Sequence, residues 1–540
     1  MQHLIIMVND IIEYLFHNTS NGAFNGKSYY GEIFFAAALA LLDREEYLKE
    51  IKTFMNTSFK KNYTKDGVKH WEFVNYAALI IMDKIPDIGV ETNFIYGRAK
   101  STNWRLLREV CYLKENKVNN CASVIKILER MQIENGLILD SKKVASFQYH
   151  CFSATLLFDI YEKTGNKLVK TYLEKAINFI ENFTLSNGDT IMIGRGQEQI
   201  FGYGTLIYLY EIAYKITGKS KYMRLQNMVI GRLIESSGKI PSLVLNEKEK
   251  NSKRDHSINS KDHLGWYSYN NFFDYLPFLL LYLVRTICLH RKDIIYPVNG
   301  KRNCINYYDS YFLRFSNKNY DAILACFPGH PSNCQMLPYI ISNKKNITPC
   351  YGGEMEQGCS LYPMSSLPLP YLEYEDIKMA GINDFHFFLK IVKKIFKKKK
   401  NENIYYLWEN MRYRLKKYSD SKYIMIAKNR IVMHVRSVEF KKSSIEVQDD
   451  LSIFRKAGID NIVVLNIPLY GYLCDKKDEI SLPGGWKLKI EKRFEDSFEI
   501  VENGYCAMGK LCSINKSFTN INRNNYRYIY RYEKYGNGKE

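Results

Sequence analysis

Up to about residue 295, apolar side chains recur at the three-to-four spacing that lines one face of a helix. Ile33 to Leu42 is apolar all round, as a buried helix is, and Tyr47 to Met55 has the two-faced pattern of an amphipathic partner. The couplet returns at Trp71 to Met82, at Trp104 to Leu113 with Val124 to Met131, and at Tyr267 to Cys288. Within this series lies a repeat. Ser146 to Gly165 aligns with Gln199 to Gly218, so that His150 and Tyr203, Tyr161 and Tyr214, and Thr164 and Thr217 are all offset by 53 residues. Both copies end in Thr-Gly, and glycine just past a helix accepts the left-handed conformation that stops it. Buried and half-exposed helices alternating in units of roughly 45–60 residues predict an α/α toroid of helical hairpins. Equivalent positions then face equivalent places, which predicts that His150 and Tyr203 converge on one cleft.

After about residue 300 the apolar period becomes two, the period of strands. Tyr311 to Phe315, Ala322 to Cys326, Tyr423 to Ala427, Ile431 to Val435, Ser444 to Val447, Ile462 to Leu465, Trp486 to Ile490 and Tyr526 to Tyr530 all carry it. Many short strands without intervening helices predict an antiparallel β-sandwich. The expected organisation is a toroid over residues 1–295 and a sandwich over 296–540, with the Pro-, Gly- and Ser-rich stretch from Met336 to Glu373 as long loops.

Composition and charge narrow the partners. The 540 residues hold 77 Lys and Arg against 57 Asp and Glu, a formal charge of +20 that attracts polyanions. Zinc-finger spacing, RNA-recognition signatures and helix-turn-helix units are all missing, which argues against nucleic acid. The basic run Lys393 to Lys400 reads as a solvated insertion, or as a short membrane-touching amphipathic helix. The longest apolar run, Leu276 to Val284, contains Pro277 and is too short for a membrane span, and Met1 to Asp10 has no basic n-region of a secretory signal. The expectation is a soluble chain without an integral membrane segment. Twelve irregularly spaced cysteines read as buried thiols rather than a disulfide framework. No spacing implies a metal or cofactor, and oligomeric state has no signature. The 43 tyrosines fit either a compositional bias or sugar binding, where a ring face and a hydroxyl act together.

Three stretches of the helical half combine polar and aromatic residues at helix starts: Thr102-Asn103-Trp104-Arg105, Gln148-Tyr149-His150, and Gly194-Arg195-Gly196-Gln197-Glu198-Gln199 followed by Gly202-Tyr203-Gly204. Together they resemble the α/α-toroid polysaccharide lyases, namely toroid alginate lyases and heparinase II/III-like enzymes, over roughly residues 90 to 290. One departure is Tyr149, where some alginate lyases place Asn before the His.

The resemblance implies β-elimination on an anionic, uronic-acid-containing polysaccharide. The C5 proton of a uronate becomes removable once its carboxylate is neutralised, here by Asn103, Arg195, Gln197 and Gln199. A base then takes that proton and an acid protonates the leaving oxygen, roles expected of His150 and Tyr203, the latter with a lowered pKa in a cationic site. Tyr149, Trp104, His263, Trp266 and Tyr267 are expected to contact the sugar, and His330 to complete the site from the β half. Plainer roles stand beside these: a cap at Asn103, a packing histidine at 150, an ion pair between Arg195 and Glu198 or Asp189. The alternatives are a uronate C5-epimerase, a glycoside hydrolase using Glu198 with Asp189 or Asp262, and a non-catalytic glycan-binding protein of surface-polysaccharide assembly.

Overall fold

The computed structural model describes residues 2–63, 70–92, 94–97, 101–194, 196–236, 238–243, 245, 271–290, 304–328, 333–349, 372–374, 412–428, 432–454, 459–469, 473–476, 479–491, 499–506, 509–518 and 525–535. Internal contacts divide the chain into two units, Met1–Asp262 with Tyr267–Lys301, and His263–Trp266 with Arg302–Glu540.

The first unit is helical: α1 (Gln2–His17), α2 (Gly31–Leu41), α3 (Leu48–Tyr63), α4 (Trp71–Lys84), α5 (Thr102–Lys114), α6 (Ala122–Met131), α7 (Phe147–Thr164), α8 (Lys167–Ile180), α9 (Ile200–Thr217), α10 (Lys221–Ser236) and α11 (Phe272–Leu289). Helices that are apolar all round become the inner layer, and those with one apolar stripe cover them. Among the described residues the inner ring runs α2, α4, α5, α7, α9, α11 and back to α2, while α3, α6, α8, α10 and α1 pack outside. This is the toroid that the helical couplets predict. The 53-residue repeat is exact in the backbone: α7 and α9 are both 18 residues long, and both stop at a left-handed glycine, Gly165 and Gly218. By length and composition α11 could cross a membrane, but 78% of that window is buried inside the protein. It closes the ring.

Closure rests on Asp274, in the first turn of α11. Its carboxylate accepts the backbone N–H groups of Tyr29, Tyr30 and Gly31, at 2.9, 2.8 and 2.8 Å, and the side-chain amide of Asn271 at 2.7 Å. These are donors that the start of α2 cannot satisfy within its own helix. Gly31 is required by the same contact, since a Cβ there would stand 1.7 Å from the Phe273 carbonyl oxygen.

The lumen is filled in layers. Phe34, Phe73, Phe152, Phe201 and Phe278, from five inner helices, meet with ring centroids 4.9–6.3 Å apart near the helix N-termini. One to two turns further along, Arg285 pairs with Asp159, while Tyr76 donates to Asp159 at 2.7 Å and Arg285 donates to Tyr208 at 3.0 Å. The layers follow chain direction in each helix, so these inner helices are parallel and their N-termini share one end.

The second unit is antiparallel β. An eight-stranded sheet runs in the order Leu473–Lys476, Glu479–Leu482, Trp486–Glu491, Asn525–Lys534, Ser444–Ile453, Val432–Phe440, Lys422–Lys428, Arg412–Lys417. A five-stranded sheet between Tyr307 and Asn346 packs on it: Phe315 stacks on Phe440 at 4.6 Å and Tyr320 meets Trp486 edge-on at 5.5 Å. A third sheet pairs Glu499–Cys506, Gly509–Phe518, Ile459–Leu469 and Leu372–Tyr374. Cys334–Ser342 is a fully buried strand, which corrects the expectation of loops from Met336 onward. Pro338 is tolerated because the pairing register shifts beside it, between Ile323 and Ala325. Loops expected from Tyr351 to Tyr371 lie outside the described residues. Inside the sandwich Asp449 accepts from Arg436 at 2.6 Å and from His434 at 2.8 Å. Burial alone would raise the Asp449 carboxyl, but Arg436 and His434 hold it well below the usual range.

Asp274→Ala removes the carboxylate shared by the Tyr29, Tyr30 and Gly31 N–H groups, so it is expected to cost about 3 kcal/mol or more of stability. Glu13→Ala, which removes an exposed partner of Lys239, is expected to cost under about 1 kcal/mol. Urea unfolding of both variants, followed by far-ultraviolet dichroism, checks the contrast.

Candidate functional site

The end of the toroid where the inner helices begin carries an array of rings. Tyr29 stacks on His70 at 5.0 Å, Tyr30 and Trp104 each lie 5.4 Å from the same imidazole, and Phe73 closes the group beneath. On the other side Tyr149 meets Phe201 at 5.7 Å, and Phe201 meets Tyr275 at 4.7 Å. Tyr29, His70, Trp104 and Tyr149 are half-buried, while the rings below them are buried. The parallel inner helices also turn the positive ends of their macrodipoles toward this mouth. A half-buried aromatic floor at helix N-termini suits a sugar ring.

Two of the expected site residues face away from the mouth. The His150 ring is buried with both nitrogens occupied: Nδ1 accepts from the Ile138 N–H at 2.9 Å, and Nε2 donates to the Ala176 carbonyl of outer helix α8 at 3.0 Å. Burial lowers its pKa to about 4, with the Ala176 bond opposing, so the ring is neutral near pH 7. It braces α7 against α8, with both ring nitrogens bonded. Tyr203, at the equivalent position of α9, also points toward the outer layer. Its hydroxyl donates to Glu198 at 2.6 Å, and its pKa is raised, first by burial and then by Glu198 and Asp189. The expected lowering is reversed because burial, and after it the Glu198 and Asp189 carboxylates, outweigh Arg232.

The polar residues of the three stretches are largely consumed by the fold. Helix α5 begins at Thr102, so Asn103 is inside its first turn and does not cap it. Its amide donates to Asp140 at 2.7 Å and its carbonyl accepts from Ser101 at 3.0 Å. Gln148 donates to Gln199 at 2.9 Å, and both are buried. The glycines near them serve this packing: a Cβ on Gly196 would stand 2.2 Å from the Gln148 amide, and one on Gly204 would press on the backbone of Leu279. Gln197 is buried, and its side-chain oxygen has no hydrogen-bond partner among the described residues. Glu198 holds a left-handed φ of 59° and a carboxyl pushed up to about 8, by burial first and then by Asp189. Strain and a shifted acid in one residue are marks of a functional position. Arg195, Asp262, His263, Trp266, Tyr267 and His330 lie outside the described residues.

Sequence reasoning missed Tyr29, Tyr30 and His70. The available signal was positional: an aromatic or imidazole ring stands within three residues of the start of every inner helix, at Tyr30, His70, Trp104, Tyr149, Phe201 and Phe272.

The two shifted groups predict opposite pH slopes. His150 has its folded pKa below the unfolded 6.5, so its contribution is lost as pH falls from about 6.5 to 4, about 3 kcal/mol in all. Glu198 has its folded pKa raised, so its contribution is present below about 4.5 and lost as pH rises through about 8. His150→Gln is expected to flatten the acid limb of a stability–pH curve, and Glu198→Gln the alkaline limb. Denaturant midpoints at half-unit pH intervals test both.

No family model matches the chain, and no curated protein sequence matches it. Among solved structures it is similar to the chondroitin AC lyase of Streptomyces coelicolor A3 in complex with chondroitin sulphate, with TM-score 0.50 and 8% identity over 98% of this chain and 79% of that one. Heparan sulfate lyase HepC of Pedobacter heparinus gives TM-score 0.48 and 12% identity, covering 97% and 79%. A HepC mutant gives 0.43 and 13%, covering 92% of this chain, which spans 64% of that chain's length. The match to the chondroitin lyase is one of fold: an α/α toroid followed by a β-rich part.

Proposed function

We propose that the chain is a polysaccharide lyase that cleaves an anionic, uronic-acid-containing glycan by β-elimination at the toroid mouth. The observation that carries this reading is the half-buried ring array of Tyr29, His70, Trp104 and Tyr149 at the shared N-terminal end of the inner helices. The glycan lies across these rings, and helix N-termini and the net positive charge draw its carboxylates inward. Arg195 and Gln197 are proposed to neutralise the uronate carboxylate so that the C5 proton can leave.

Proton transfer then falls to half-buried groups of the ring array. His70, half-buried at a helix start within the ring array, is proposed as the base at C5. The Tyr149 hydroxyl is proposed as the acid that protonates the departing oxygen. A second reading is favoured by the strained Glu198: the Tyr203–Glu198 pair handles the proton.

Screening uronate polymers for the ultraviolet absorbance of the unsaturated product tests the reaction. The expected result is a signal with at least one polymer, lost by 100-fold or more in His70→Gln and in Tyr149→Phe but kept in Tyr203→Phe. Loss in Tyr203→Phe alone would transfer the chemistry to the second reading. Binding without chromophore from every polymer would make the chain a glycan-binding protein, and hydrogen exchange at C5 without cleavage would make it an epimerase.

A further inference from the structure

The end of the toroid opposite the mouth holds a cavity of ≈ 400 Å³. Its walls are apolar, built from Leu41, Ile80, Val110, Leu113, Phe158 and Leu289 near the C-terminal ends of inner helices. Its floor is the Arg285–Asp159 pair, with the guanidinium 4.4 Å above the Tyr208 ring. The three carboxylates that line it are already matched: Asp159 by Arg285, Asp83 by Lys114, and Glu162 by Lys215. The cations are not all spent. Lys84 and Lys163 also line the cavity, both are exposed, and neither has a carboxylate partner among the described residues.

We propose that this cavity binds a small organic carboxylate, with its carbon skeleton against the leucines and Phe158 and its head group between Lys84 and Lys163. The class follows from the lining. An organic cation would meet four basic side chains against three acids that already have partners. A mineral anion would leave the apolar walls wet, whereas burying them against carbon is favourable by roughly 25 cal/mol per Å². The helix carbonyl ends at this face oppose an anion, and the lysines in the last turns offset that field. The size suits a single substituted ring. Neither the mouth nor the lyase reading enters this argument.

The test uses the intact chain with three probes, benzoate, glucuronate and inorganic sulfate, titrated by calorimetry at low salt. At least one of the two carboxylates is expected to bind the wild type. That binding should weaken tenfold or more in the double variant Lys84→Gln/Lys163→Gln and stay unchanged in Trp104→Ala, which alters only the mouth. Benzoate as the tighter probe would identify an apolar carboxylate, and glucuronate a sugar acid. The proposal is overturned if neither carboxylate binds, if the double variant binds as well as wild type, if sulfate binds as tightly as the carboxylates, or if Trp104→Ala loses the binding. Circular dichroism of the double variant, expected to match wild type, keeps a folding defect from imitating the result.

Discussion

A ring of helices must join its last member to its first, and here one carboxylate makes that joint. Asp274 gathers the N–H groups of three consecutive residues ahead of and at the start of α2, together with the Asn271 amide. Burial pushes its carboxyl up to about 6, while the Tyr30 N–H, Asn271 and the Tyr29 N–H pull it back. Near pH 7 it is therefore ionised, and charge-assisted bonds of this kind are roughly twice as strong as neutral ones. The joint has a consequence at the mouth. Tyr29 and Tyr30 donate their own backbone N–H groups to Asp274, so closing the ring also sets both rings against His70. A fold constraint and the geometry of the candidate site are the same contact.

The repeat puts His150 and Tyr203 at equivalent positions of successive inner helices. The 53-residue offset is real, and both side chains stand at the fourth position of their helices. Equivalence fixes only that they face alike, not which way they face. On α7 the axis-facing positions are those that reach the lumen: Phe152 against Phe278, Thr155 toward Tyr282, and Asp159 on Arg285. Position 150 lies on the flank that meets α8. Helical periodicity locates a stripe, but a helix buried on all sides has no polar stripe to orient it.

That limit separates what was legible from what was not. Alternation of all-round and one-sided apolar helices, the Thr-Gly stops and the change of period near residue 300 each follow from local rules, and the toroid and antiparallel sheets match them. Asp274 was not legible, because its partners are about 245 residues away and a lone aspartate at a helix start reads as a cap. His70 was missed because it belongs to no polar cluster in sequence; rings from separate helix starts surround it only once the ring has closed. The Gly-rich segment misled for a related reason. Glycine reports a close approach, and here the approaching groups are Gln148 and Leu279 rather than a ligand.

The two ends of the toroid differ in electrostatics as a direct result of parallel inner helices. At the N-terminal end the dipoles sum to positive potential, part of which the Asp274 carboxylate takes up, and the described rings there add polarisable faces. At the C-terminal end the exposed carbonyls sum to negative potential, and Lys84, Lys114 and Lys163 stand in the last turns of α4, α5 and α7, where a cation is favoured by about 0.3–1 kcal/mol each. Between them the Arg285–Asp159 pair crosses the lumen with three tyrosine hydroxyls around it. A buried pair so enclosed adds little net stability compared with apolar packing, but removing one member strands a charge. With the aromatic layer the pair plugs the ring, so any ligand entering at the mouth meets a floor rather than a channel. A plugged lumen confines any ligand at the mouth to the surface side of the aromatic layer.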